Sequence, residues 1–367
     1  MSESVSPLEA EIRRRIAAAG PMPVAEYMAL CLADPEHGYY VTRQPFGPTG
    51  DFVTAPEISQ MFGELIGLWM AGVWQQAGSP ENVRIVELGP GRGTLMKDAM
   101  RAAQAAPAFR KAAVLHFVEV SPMLRAQQEQ TIAATGMPAN WHDTLDEVPA
   151  GPLIVIANEF FDALPVCQAV KAGDEWRLRT VAVSEDDKLV FKVAAEPIPQ
   201  FARTVPQMVR AAGDGAIFEW RADTVAMELG RRIAREPSAA LVIDYGHAES
   251  APGDTFQAVG RHGFADPLSE PGAVDLTAHV DFEALMSTVE SMGAKAFGPL
   301  TQADFLRRLG IETRAQALKS GAAQAKAHDV DVALARLTGH GRTGMGQLFK
   351  AVAFAHPKIG TPPGFEP

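Results

Sequence analysis

VRIVELGPGRGTLMKD, residues 83–98, is the stretch on which the fold turns. Val83 to Leu88 is a short β-branched run closed by glycines, and TLMKDAMRAAQ after it has helical apolar spacing. The segment therefore reads strand, glycine turn, helix. Gly89, Gly91 and Gly93 lack a Cβ, which permits a tight turn and close approach of a ligand to the backbone. The helix beginning there leaves free N–H groups facing whatever sits in the crevice. Working outward, HFVEV at 116–120 is a second strand, with Ser121-Pro122 opening the helix after it. LIVIAN at 153–158 and ALVIDYG at 240–246 are further strands. Apolar strands alternating with helices predict parallel βαβ units in a sheet covered on both faces. MGQLFKAVAFAH, residues 345–356, is a longer strand with no helix behind it, and suits an antiparallel edge.

The chemistry follows from the same turn. A nicotinamide fingerprint would read G-x-G-x-x-G/A. Here the spacing is G-x-G-x-G, the next position is Thr94, and the acid Glu87 stands two residues before the first glycine. Glu119, at the end of the second strand, can accept both ribose hydroxyls of an adenosine group. An acid at that strand end serves nicotinamide and S-adenosylmethionine (SAM) sites alike; the glycine spacing and Glu87 favour SAM. Asp143, in Trp141-His142-Asp143, is a candidate acceptor for an adenine amino group, or else a helix cap beside a packed Trp141. Asn158 and Glu159 emerge at the carboxyl end of LIVIA, in NEFFDALPV, with Asp162 three residues on. Either they face a bound sulfonium, or Asn158 and Asp162 merely cap a turn over Phe160 and Phe161. Some amino-methyltransferases carry an Asp/Asn-Pro-Pro-aromatic stretch at this strand end; this chain departs from it.

Composition limits the partners. The 367 residues are 47% hydrophobic and 21% charged, ordinary globular usage, with net charge −11. That charge argues against a broad nucleic-acid-binding surface. Two cysteines make no disulfide framework, the nine histidines lack metal-site spacing, and no metal is expected. No apolar run reaches the length of a membrane helix, and the first twenty residues lack a signal-peptide core, so a soluble protein of a reducing compartment is expected. Near the start, Ser6-Pro7-Leu8-Glu9 is a capping box before Leu8, Ile12 and Ile16, and a second helix spans about Val24 to Leu32. The loop QPFGPTGDFVT, residues 44–54, leads into a second box, Thr54-Ala55-Pro56-Glu57, and a helix through about Gln76. The expected organisation is a helical cap at 1–78, then a core at 79–356 with insertions at 166–236 and 301–345. The first insertion begins with a hairpin at 166–200, and residues 357–367 form a mobile tail.

DPEHGYY, GDFVTAPEISQMFGELIG, VELGPGRGTLMKD, VEVSPMLRAQQ, NEFFDALPV, DLTAHVDF and TQADFLRRLGI together resemble the MidA family, from about residue 20 to 355. These are SAM-dependent protein arginine methyltransferases related to the mitochondrial complex I assembly factor. The resemblance implies a class I methyltransferase fold: a Rossmann-like α/β architecture whose mostly parallel seven-stranded sheet has an antiparallel edge strand. It also implies SAM as cofactor, with Gly89, Gly91, Glu119 and Asn158 holding it, and an arginine acceptor on a respiratory NADH dehydrogenase subunit or similar protein. Glu57, Ser59 and Gln60 belong to its N-terminal signature. The short acidic N-terminus looks bacterial, hence cytoplasmic. Glu159 backed by Asp162 is the candidate clamp for the guanidinium; His279, Tyr245 and His37 are further candidates. Competing readings are methyl transfer to another nitrogen or oxygen, SAM binding without turnover in an assembly factor, and a NAD-dependent oxidoreductase. The oligomeric state is not legible.

Overall fold

In the computed structural model the described residues are 5–43, 54–260, 263–341 and 344–367. All of the loop QPFGPTGDFVT except Thr54 lies outside them. The chain divides into two units: residues 1–52, 162–222 and 249–281 in the first, and 53–161, 223–248 and 282–367 in the second.

The second unit is built on β1 (Val83–Leu88), β2 (Ala113–Val118), β3 (Ala139–His142), β4 (Leu153–Asn158), β5 (Ala239–His247), β6 (Lys295–Thr301) and β7 (Phe349–Ala355), of which β1, β2, β4, β5 and β7 are the strands the sequence analysis expects and β3 and β6 are additional. Among the described residues these seven run in the order β6-β7-β5-β4-β1-β2-β3 through a sheet of eight strands, one more than the seven expected. β1 pairs in parallel with both β2 and β4, and β4 with β5, while β7 runs antiparallel to β5 and to β6. β7 is thus antiparallel as expected but not the edge. KAFGPLT takes the edge instead, because a strand there tolerates Pro299 and a register shift between Phe297 and Leu300. The order reverses beside β1, and its carboxyl end is where such sheets bind ligands.

The helix expected from Thr54 to Gln76 is broken. Ala55–Ile58 (α1) stops at an extended Ser59, whose hydroxyl caps Gln60–Gln76 (α2) by accepting from the Met61 N–H at 3.2 Å. Helix α2 buries Met61, Phe62, Ile66, Trp69 and Val73. It packs on Thr94–Ala102 (α3) closely enough that a Cβ at Gly67 would lie 2.4 Å from the Ala99 carbonyl. Residues 54–78 therefore cluster with the sheet rather than with residues 5–43. Residues 224–235 and the helices between 302 and 338 fall in the same unit, burying Leu229, Ile233, Phe305, Leu306, Ile311 and Leu337. The tail expected to be mobile is packed: Ile359 and Phe365 are buried, and the Trp69 Nε1–H donates to the Pro363 carbonyl at 3.1 Å. Two aromatic or aliphatic anchors within ten residues outweigh the Pro/Gly character that suggested mobility.

The first unit holds helices Pro7–Ala19 and Val24–Ala33 over antiparallel strands. Ser6 caps the first helix by accepting from the Glu9 N–H at 3.2 Å. The insertion folds as consecutive antiparallel strands Val166–Ala172, Glu175–Val183 and Leu189–Pro197, joined by Ile217–Arg221 on the far side of the first. Its core collects Leu8, Ile12, Tyr27, Met28, Val166, Val181, Phe256 and Leu276. Among the described residues no helix is long and apolar enough to cross a membrane.

Candidate active site

At the carboxyl end of β1 the chain turns through Gly89, Gly91 and Gly93, all with positive φ (61°, 53° and 76°). Gly93 is left-handed and directly precedes α3. A Cβ on Gly89 would meet the Phe160 ring at 2.9 Å, so glycine is required there by space as well as by backbone. The turn is fixed by Gln128, a fully buried residue of helix Pro122–Ala133. Its Nε2 donates to the Gly91 carbonyl at 2.8 Å and to Glu119 Oε2 at 3.1 Å, and its Oε1 accepts from Trp141 Nε1 at 2.9 Å. Glu119 also accepts from the Ser121 N–H at 2.8 Å. Burial raises its pKa, opposed by these hydrogen bonds. A carboxylate offers about four lone-pair sites, so Glu119 retains acceptor capacity for a hydroxyl donor.

Asp143 lies past β3, but its side chain is mostly exposed and accepts from Arg125 Nη2 at 2.5 Å. Arg125 Nε in turn donates to the Glu119 carbonyl at 2.6 Å.

Glu87 is buried at the end of β1, its Oε2 without a hydrogen-bond partner, and desolvation pushes its pKa up to about 8. On the neighbouring strand β4, Asn158 donates through Nδ2 to Glu159 Oε1 at 3.1 Å, while its buried Oδ1 has no partner. Two unpartnered buried acceptors beside a glycine turn are costly unless a ligand supplies donors. SAM, with an ammonium, ribose hydroxyls and an adenine amine, is a donor-rich group that fits them.

Glu159 follows β4 with φ at 51°, a left-handed backbone unusual for a side chain that is not glycine. Its N–H donates to the Ile243 carbonyl at 2.9 Å, and its Oε1 accepts from the Ala55 N–H at 3.1 Å. The turn is secured by fully buried Asp244, whose Oδ2 accepts from the N–H groups of Phe160 and Phe161 at 3.1 and 3.0 Å. Asp244 Oδ1 accepts from the Tyr245 N–H at 2.9 Å, and the Tyr245 ring meets Phe349 edge-on at 5.3 Å.

Asp162 and His279 fall in the first unit. Arg221 ties their segments together, donating to the carbonyls of Asp162 (3.2 Å), Leu164 (3.2 Å), Ala278 (2.6 Å) and His279 (2.7 Å). The His279 N–H donates to Thr255 Oγ1 at 2.9 Å. His37 lies in a turn that Asp34 stabilises by accepting from its N–H at 2.9 Å, and Gln60 is exposed. Gln128 and Asp244, which hold the two turns, are not legible in the sequence, nor is Arg221 in the first unit. Only the family signature VEVSPMLRAQQ carried a signal, and it did so for Gln128 alone.

A family model described as S-adenosyl-L-methionine-dependent methyltransferase matches residues 65–300. The mitochondrial protein arginine methyltransferase NDUFAF7 homologue of Drosophila melanogaster is 38% identical over 341 residues, covering 85% of this chain and 76% of that protein. Human NDUFAF7, also named a mitochondrial protein arginine methyltransferase, is 37% identical over 343 residues, covering 86% and 76%. A Burkholderia thailandensis crystal structure bound to S-adenosyl-homocysteine is 29% identical with a TM-score of 0.85, covering 97% of this chain and 93% of that one.

Proposed function

The chain belongs to this family of SAM-dependent methyltransferases, with the class I fold, and we propose that it methylates an arginine side chain of a protein. The observation that carries the acceptor class is Glu159. A non-glycine left-handed residue persists where its surroundings over-determine it, and such positions cluster at functional sites. Arginine methyltransferase is also the name of the curated relatives, and a respiratory NADH dehydrogenase subunit or similar protein is the acceptor proposed with it. Both cysteines are free thiols, which suits the cytoplasmic setting proposed with it.

SAM supplies an electrophilic methyl group on a sulfonium. Glu87, Asn158, Glu119 and the glycine turn hold it in this proposal, and Asp143 is proposed at the adenine end. The guanidinium is always charged and offers forked donors that a carboxylate accepts. Glu159 fixes it, draws its positive charge away from the attacking nitrogen and takes the proton as the methyl arrives. The N–C bond forms, the S–C bond breaks, and S-adenosyl-homocysteine leaves. Positioning is the main requirement for such a displacement. Asp162, His279 and Tyr245 are the next positions to substitute.

Glu159→Gln should keep SAM binding by calorimetry and lower methylation of an arginine-containing protein acceptor by roughly 30- to 1,000-fold. That range follows from about 2–4 kcal/mol for a buried transition-state contact. Label from SAM traced by mass spectrometry to a residue other than arginine would overturn the acceptor class. A variant that methylates at the wild-type rate would move the clamp to His279 or Tyr245. SAM binding with no label transferred would indicate a binder without turnover.

A further inference from the structure

Helix α1 is only four residues long, yet it touches both halves of the chemistry. Glu57 Oε1 accepts from the Thr94 hydroxyl at 2.5 Å, and its Oε2 accepts from Arg92 Nη1 at 3.1 Å. Arg92 lies inside the glycine turn and Thr94 is the first residue of α3. Two residues earlier, the Ala55 N–H donates to Glu159 Oε1 at 3.1 Å. The Glu57 side chain is 17% exposed and the Arg92 side chain 32%, so the ion pair is partly sheltered. Thr54 and Glu57 spell a capping box, but the Thr54 side chain makes no cap hydrogen bond, and Glu57 is turned to the glycine turn instead. A local signal for helix initiation has thus been given over to a tertiary contact.

We propose that Glu57 is a positioning residue for the cofactor. It pins the glycine turn through Arg92 and Thr94, and because the same short helix offers its Ala55 N–H to Glu159, one rigid element sets the cofactor loop and the acceptor carboxylate in a common frame. The inference rests on SAM as cofactor and on Glu159 as clamp, and its test needs no methyl acceptor. Charge-assisted contacts to a carboxylate are roughly twice as strong as neutral ones, so losing both should be felt in the loop they hold.

Glu57→Ala should weaken SAM binding about tenfold by calorimetry, with its far-UV spectrum unchanged. Glu57→Gln keeps an acceptor for Thr94 and should recover part of that loss. Thr94→Val should weaken SAM binding by itself but add little in the Glu57→Ala background, because both variants break the same bond. In the wild type, SAM should slow hydrogen exchange in peptides covering residues 54–60; in Glu57→Ala that protection should disappear even at saturating SAM. Affinity within twofold of wild type in folded Glu57→Ala, additive losses with Thr94→Val, or protection of 54–60 that survives the substitution would each overturn the proposal. If Glu57→Ala fails to fold, unchanged SAM affinity in Thr94→Val overturns it from the other side of the bond. An acceptor other than arginine would defeat the proposed function and leave these affinities as predicted.

Discussion

Glu87, proposed above to hold SAM, is fully buried at the end of β1, where its charged form is disfavoured. Burial holds its carboxyl neutral up to about pH 8, against 4.5 for an ordinary glutamate. The folded state therefore binds the proton more tightly than the unfolded chain does. Below about pH 4.5 both states are protonated and Glu87 contributes nothing. As pH rises through the window to about 8 the unfolded chain releases its proton first, so stability falls. Glu87→Gln should remove that slope: urea midpoints for the unliganded protein should match wild type at pH 4.5 and exceed it at pH 8. A variant no more stable than wild type at the upper pH would contradict the assignment. Glu87 and the glycines were legible because their spacing is local. Asp244 was not, since it acts on the Phe160 N–H from 84 positions away, a contact only the finished sheet creates.

The elements repeat the lesson at the next scale. Strands β1, β2, β4 and β5 announce themselves as apolar runs because a sheet covered on both faces has no polar side to alternate with. KAFGPLT did not, since glycine and proline punctuate it. The C-terminal segment has the Pro/Gly composition of a mobile tail for the same reason, yet it is packed. Its Phe365 ring sits 5.2 Å from that of Phe305, Gln76 Nε2 donates to the Thr361 carbonyl at 3.0 Å, and Arg308 Nη1 donates to the Glu366 carbonyl at 2.7 Å. Removing residues 359–367 exposes the surfaces that Ile359 and Phe365 cover. Loss of a buried phenylalanine side chain alone costs about 3–5 kcal/mol. The truncated protein should melt at least about 5 °C below wild type, at roughly 2–4 °C per kcal/mol for a domain this large. Equal melting temperatures would show the tail to be dispensable to the fold.

For the whole molecule, the alternation of strands and helices made the α/β class readable, but not the route of the chain between its two units. The chain enters the first unit three times, and the boundary at residues 161 and 162 falls inside NEFFDALPV. No linker composition marks it, because this signature supplies the end of β4 up to residue 161 and the start of a first-unit segment from residue 162. Net charge is the property that belongs to no single element. With 33 basic and 44 acidic residues the protein carries −11, so the proposed arginine acceptor, being cationic, would approach through an attractive field. That field reaches about 30 Å at 0.01 M ionic strength and about 10 Å at 0.1 M. Between those conditions kcat/KM for an arginine peptide of net charge +3 should fall at least about threefold, because encounter is slowed. Saturating kcat should change little, since the contacts proposed at Glu159 are short-ranged and partly sheltered from salt. A peptide of net charge +1 should show a shallower dependence, and a kcat/KM indifferent to salt for both peptides would rule out steering by the protein's charge.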